Sequence, residues 1–149
     1  MDSTPPYEPM EHTADAAVRV RGATLEELFA NSAFAMFDLQ YGLAGVGEDV
    51  ERVVEVKAGD REMLLARLLT ILLSISEAEG LVFKRFVVST RQDAGPDDEG
   101  KPVLRARCTT LGSGFDAAKI VRHIHIKAVT YHMLEVAPEK GYAVIIFDK

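Results

Sequence analysis

The chain has 149 residues, 48% of them hydrophobic and 27% charged, which suits one ordinary domain able to bury a core of its own. No apolar run approaches the ~18 residues needed to cross a bilayer, and the opening "MDSTPPYEPM" has neither a basic n-region nor an apolar h-region. A soluble, cytoplasmic protein with no membrane partner is therefore expected, and the lone Cys108 excludes an internal disulfide or a cysteine zinc cage, leaving a buried inert thiol.

The formal net charge of −6 argues against a domain that grips a nucleic-acid backbone unaided, because that affinity comes largely from neutralising phosphates. Little direct nucleic-acid binding is expected, apart from what a local patch of Arg105, Arg107, Arg122 and Lys127 could add.

In chain order, residues 1–9 read as a loose tail and 10–149 as one domain. "AAVRVR" alternates Ala16, Val18 and Val20 with Ala17, Arg19 and Arg21, the period of a strand with one buried face. Gly22 ends it. In "TLEELFANSAFAMFDL", Thr24 and Glu27 have the capping-box spacing, and Leu25, Leu28, Phe29, Ala33, Met36 and Phe37 follow at helical intervals as a core face. "GLAGVGED" is glycine-rich, but it lacks the lysine and hydroxyl pair of a P-loop and leads into a strand, so no helix N-terminus is offered to a phosphate.

"VERVVEVKA" is a second alternating strand. Asp60 then caps "REMLLARLLTILLSISEAEG", a leucine-rich helix apolar on more than one face and suited to the centre of the molecule. "LVFKRFVVST" and "VLRARCTTL" read as strands joined by the exposed loop "RQDAGPDDEGKP". "RHIHIKAVTYHMLEVA" alternates in two registers and reads as a long strand, and "PEKG" turns it into the terminal strand "YAVIIFD". The order predicts an α+β domain: a largely antiparallel sheet with two packed helices.

Two constellations could carry chemistry. Asp15 and Asp148 both sit at ends of predicted strands. If those strands are neighbours, about 4.8 Å apart, two facing carboxylates could share one hard cation or one proton. Lys149 would add backbone oxygen. Two solvated strand-end aspartates are the bland alternative. His123 and His125 have the i, i+2 spacing that puts both imidazoles on one face of a strand, an arrangement used by zinc sites, against which stands the plain reading of exposed strand histidines. Tyr131 and His132 could form a hydrogen-bonded structural pair. No G-x-S-x-G elbow is present.

Taken together, "EHTADAAVRVRG" followed by "TLEELF", then "LLARLLTILL", "EGLVF", "KAVTYHMLEV" and the aspartate next to the last residue resemble the archease family over nearly the whole chain. The resemblance implies a non-enzymatic accessory protein of the RNA-splicing ligase that joins tRNA exon halves. Such a protein promotes guanylylation of the ligase's histidine and multiple turnover in tRNA splicing or RNA repair, with GTP engaged through the ligase. It further implies a divalent cation, calcium-like with magnesium or manganese as alternatives, held by Asp15, Asp148 and the backbone of Lys149. Glu11 and His12 then become supporting or partner-facing groups. Two other classes stay open: a metal-dependent hydrolase built on His123 and His125, and a chaperone-like interaction module working through the leucine-rich helix.

Overall fold

The computed structural model describes residues 4–10, 15–93 and 102–149. Eight strands and two long helices follow one another as Tyr7–Met10 (β1), Ala16–Arg21 (β2), Leu25–Gln40 (α1), Val50–Ala58 (β3), Arg61–Glu79 (α2), Leu81–Asp93 (β4), Val103–Gly114 (β5), Ala128–Val129 (β6), Glu135–Ala137 (β7) and Tyr142–Asp148 (β8). All pairings are antiparallel, as expected for the α+β class. The strands form two sheets, however, not one. The first runs β1-β2-β8-β6 with β7 also on β8, and the second runs β3-β5-β4.

Both helices begin where the sequence places caps. Thr24 Oγ1 accepts from the Glu27 amide at 3.1 Å while Glu27 Oε2 accepts from the Ala23 amide at 2.7 Å. Asp60 Oδ1 accepts from the Met63 amide at 2.7 Å. α2 stops at Gly80, whose φ of 65° is left-handed and open to glycine at little cost.

The helices lie against both sheets: α1 packs on β2 and β4, and α2 packs on β3 and β5 and reaches β6 and β7. Between them sits one apolar cluster. Leu28, Phe29, Met36 and Phe37 of α1 and Leu64, Leu65, Leu68, Leu69 and Leu72 of α2 are wholly buried in it, with Phe83 of β4 and Phe147 of β8. Phe37 meets Phe83 edge-on at 5.6 Å and stacks on Phe86 at 5.7 Å. Each such side chain contributes about 1.5–3 kcal/mol of burial. This cluster is what fixes β2 and β8 beside one another, with Val18, Val20, Ala143, Ile145 and Phe147 all facing the helices.

Two expectations are corrected. The tail expected through Pro9 is already a strand at Tyr7, paired Tyr7↔Val20 to Met10↔Ala17. It is held there because the Tyr7 hydroxyl donates to Asp38 Oδ2 at 2.8 Å and its ring meets Phe34. Pro9 is tolerated because β1 is an edge strand. The long strand expected over 122–137 is broken into β6 and β7 by a turn at His132 and Met133, the latter with φ 60°. The reason lies in the two apolar registers: Ile126 and Val136 are buried at even positions, Val129 is half-buried at an odd one, and one flat strand cannot turn both sets inward. Much of the "RQDAGPDDEGKP" loop lies outside the described residues, although Arg91 to Asp93 already belong to β4.

Candidate metal centre

β2 and β8 run antiparallel in a register that ends at Ala16↔Phe147. One step beyond that pair stand Asp15, in the bend that leads into β2, and Asp148, the last residue of β8. The first and last parts of the sequence thus meet at one edge of the molecule. Cross-strand Cα atoms in such a pair are about 4.5–5.5 Å apart, close enough for two carboxylates to share a cation. Asp15 is half-buried and makes further interactions, whereas Asp148 is exposed. On its other side β8 is closed by β6, where Ala128 pairs with Asp148 and the Lys127 amide donates to the Asp148 carbonyl at 2.7 Å. That carbonyl is therefore committed to the sheet, and the next backbone oxygen is that of Lys149.

The donor set fits a hard cation, since both side chains are carboxylates. Among the described residues, no three or more side chains of His, Cys, Asp or Glu form a group able to hold a metal ion, so the two aspartates would complete a coordination shell with backbone carbonyls and water. Glu11 and His12 lie outside the described residues.

The histidines are placed differently from the sequence expectation. His123 and His125 do not lie on a regular strand: the segment is tied to the end of α1 by Arg122 bridging Tyr41, the His123 amide on the Gln40 carbonyl at 2.7 Å, and the Ile126 amide on Gln40 Oε1 at 3.2 Å. Both imidazoles belong to exposed residues, and His125 Nε2 is 3.9 Å from Glu77 Oε1. Tyr131 finds Asp60 instead of His132, its hydroxyl donating to Oδ1 at 3.3 Å. Cys108 is wholly buried and its thiol is pushed up to about 12 by that burial, which leaves it without thiolate character at neutral pH.

The archease protein family model matches residues 7–148. The chain belongs to the archease family. It is 38% identical to protein archease of Pyrococcus furiosus over 130 residues, covering 87% of each chain. With protein archease of Methanopyrus kandleri it shares 36% over 136 residues, covering 91% of this chain and 92% of the other. The solution structure of Methanobacterium thermoautotrophicum protein 1598 is similar with a TM-score of 0.76 and 29% identity, over 98% of this chain and 100% of that one.

Sequence reasoning missed two features. Asp38 anchors β1 through Tyr7, whose hydroxyl is pushed well above its ordinary value by burial and then by that carboxylate; the i, i+3 placement of Tyr7 and Met10 gives no sign of it. The basic patch is also composed differently. Arg105 and Arg107 share a face with Lys57 and Arg91, whereas Arg122 lies over the rings of Phe115 and Tyr41 at 4.5 and 5.6 Å.

Proposed function

We propose that this protein is a metal-binding accessory factor that activates an RNA-splicing ligase, promoting guanylylation of the ligase's histidine and repeated turnover in tRNA splicing or RNA repair. The observation that carries the reading is the placement of Asp15 beside Asp148 across the β2–β8 pair, on a chain that belongs to the archease family. Asp15 and Asp148 supply two hard oxygen donors, and the Lys149 carbonyl supplies a third. When bound, a divalent cation of the calcium type, with magnesium or manganese as alternatives, contributes positive charge that phosphate oxygens can use.

The rest of the work falls to positioning. Phosphoryl-type transfer depends mainly on alignment and charge stabilisation, so an accessory protein can raise its rate without contributing a nucleophile. An acidic edge that docks at the ligase's nucleotide cleft would hold GTP and its counter-ions in line with the histidine. Cytoplasmic residence is part of the proposal; no helix among the described residues is long and apolar enough to cross a membrane.

The test is multiple-turnover RNA ligation by the cognate ligase alone, with this protein, and with its Asp15→Ala form. Many turnovers with the wild type and about one per ligase with the variant is the expected result. No effect of the wild type would refute the reading. Equal activation by both forms would remove Asp15 from the working site.

A further inference from the structure

Among the described residues, the helices cover one face of the β3-β5-β4 sheet and leave the other open, with Val53 and Val87 exposed upon it. On this open face the register sets Lys57 and Arg91 on either side of Arg105, in one line across three strands. Arg107 stands two residues along β5, on the same side of the sheet. With strands about 4.8 Å apart, three cationic side chains spring from a span of about 10 Å. Together they line a concave basin of about 570 Å³ that crosses all three strands.

Two carboxylates sit among them. Asp93 accepts from Arg105 Nε at 2.5 Å and lies 3.1 Å from Arg91 Nε, and Glu55 lies 3.4 Å from Arg107 Nη1. Among the described residues, four cationic groups against two carboxylates, Glu55 and Asp93, leave this part of the sheet face two charges positive on a chain whose net charge is −6. Asp93 also orders the site: it holds two guanidinium groups by their Nε edges, while Arg91 stays 70% exposed. A guanidinium already held in place loses less side-chain freedom when it takes a further anionic acceptor, and its forked donors match phosphate oxygens.

We propose that this basin is a contact site for the phosphate backbone of a single-stranded nucleic acid. The basin is lined by Val56 and Ala106 as well as by charged and hydroxyl side chains, but its large side chains are the cationic ones, and it lacks the large aromatic or aliphatic anchors of a protein interface. It has no aromatic side chain for bases to stack on, so recognition is of phosphates, without preference for sequence. RNA is the strand that the proposed ligase partnership would bring; only that choice rests on the ligase reading. The acidic whole keeps the contact weak, as suits a protein that guides a strand held mainly elsewhere.

The experiment is fluorescence anisotropy of a fluorescein-labelled uridine 12-mer titrated with this protein at low and moderate salt, with no ligase present. Binding is expected, with a log–log salt slope approaching about −3 if four cationic groups meet phosphates at about 0.7 each. Arg91→Ala should weaken binding and reduce the slope by about 1. Asp93→Asn should tighten binding, because the amide oxygen can still accept from the guanidinium groups and keep them ordered while the competing negative charge is gone; Arg21→Ala, in the other sheet, should change neither. Absence of binding at low salt, or binding that Arg91→Ala and Asp93→Asn both leave unchanged, would overturn the proposal. Because ligase activation is read separately through Asp15→Ala, failure of either reading is distinguishable from failure of the other.

Discussion

Replacing Asp148 by asparagine tests the carboxylate pair without touching Asp15, which has other contacts to lose. Asp148 is exposed and its backbone bond to Lys127 survives the change. Without a cation, two carboxylates about 5 Å apart repel by about 0.8 kcal/mol in a water-like medium and by about 3 kcal/mol at an effective dielectric of 20. The exposure of Asp148 places the pair toward the lower figure. Since 1 kcal/mol moves the Tm of a chain this size by about 2–4 °C, Asp148→Asn should melt about 2–4 °C higher than wild type in the presence of a chelator. Calcium at about 100 times its Kd stabilises the wild type by about 2.7 kcal/mol, or about 5–11 °C, and the variant should gain far less. The two curves therefore cross: the variant is more stable with chelator and less stable with calcium. Differential scanning calorimetry in both conditions reads this directly. A variant that melts lower than wild type in chelator, yet shows the full calcium shift, would refute the shared-cation arrangement.

Two further outcomes test the frame that holds the site. An alanine Cβ at Gly112 would stand 2.0 Å from the Val82 carbonyl oxygen and 2.7 Å from Phe83 Cα, so Gly112→Ala must open the β4–β5 pairing at its bulge; urea titration should show a loss above ~4 kcal/mol, and an unchanged midpoint would contradict the close approach. Glu62 has its carboxyl raised above the ordinary value by burial first, then by Asp60 and Glu135, against the opposing pull of Arg61. A folded-state value above the unfolded one favours folding while the group is protonated, and that contribution is lost as pH rises through the folded value. Glu62→Gln should accordingly raise the Tm near neutral pH, by the equivalent of ~0.5 kcal/mol or less, with the gain fading below the ordinary carboxyl value of 4.5; thermal melts at both pH values check it, and an equal gain in acid would remove ionisation as the cause.

The elements legible in the sequence are those written in local chemistry. Thr24 with Glu27, Asp60 and Gly80 mark helix ends by groups that satisfy amides within a turn or two, and the alternation of Val18 and Val20 marks a strand whose face is decided by burial. β1 is not legible in the sequence because its hold is tertiary: a phenol reaches an aspartate 31 residues away on α1. The break at Met133 was present as a conflict of registers, visible in the sequence but unresolved until the positions of Ile126, Val129 and Val136 relative to the core were known.

The two candidate sites differ in the same way. Asp15 and Asp148 can be paired in the sequence as strand-end residues, and the β2–β8 register ends one step short of them, but it is the resemblance to archeases that singles them out as ligands. The basic basin draws one residue from each of three strands plus a second from the middle one, so its existence depends on registers that no single stretch encodes. Arg105 and Arg107 were identifiable as neighbours two residues apart. Grouping them with Arg122 and Lys127 overlooks Arg91, which is nearer to Arg105 in sequence than either, and Lys57, which is much farther away; only the strand registers bring these two beside Arg105. The division has a physical origin: a local motif is stabilised by its own backbone, while a surface assembled across strands inherits its composition from how the opposite face is packed. Val54, Val56, Ala106 and Cys108 point into the core, and by alternation that commitment turns Lys57, Arg105 and Arg107 outward together.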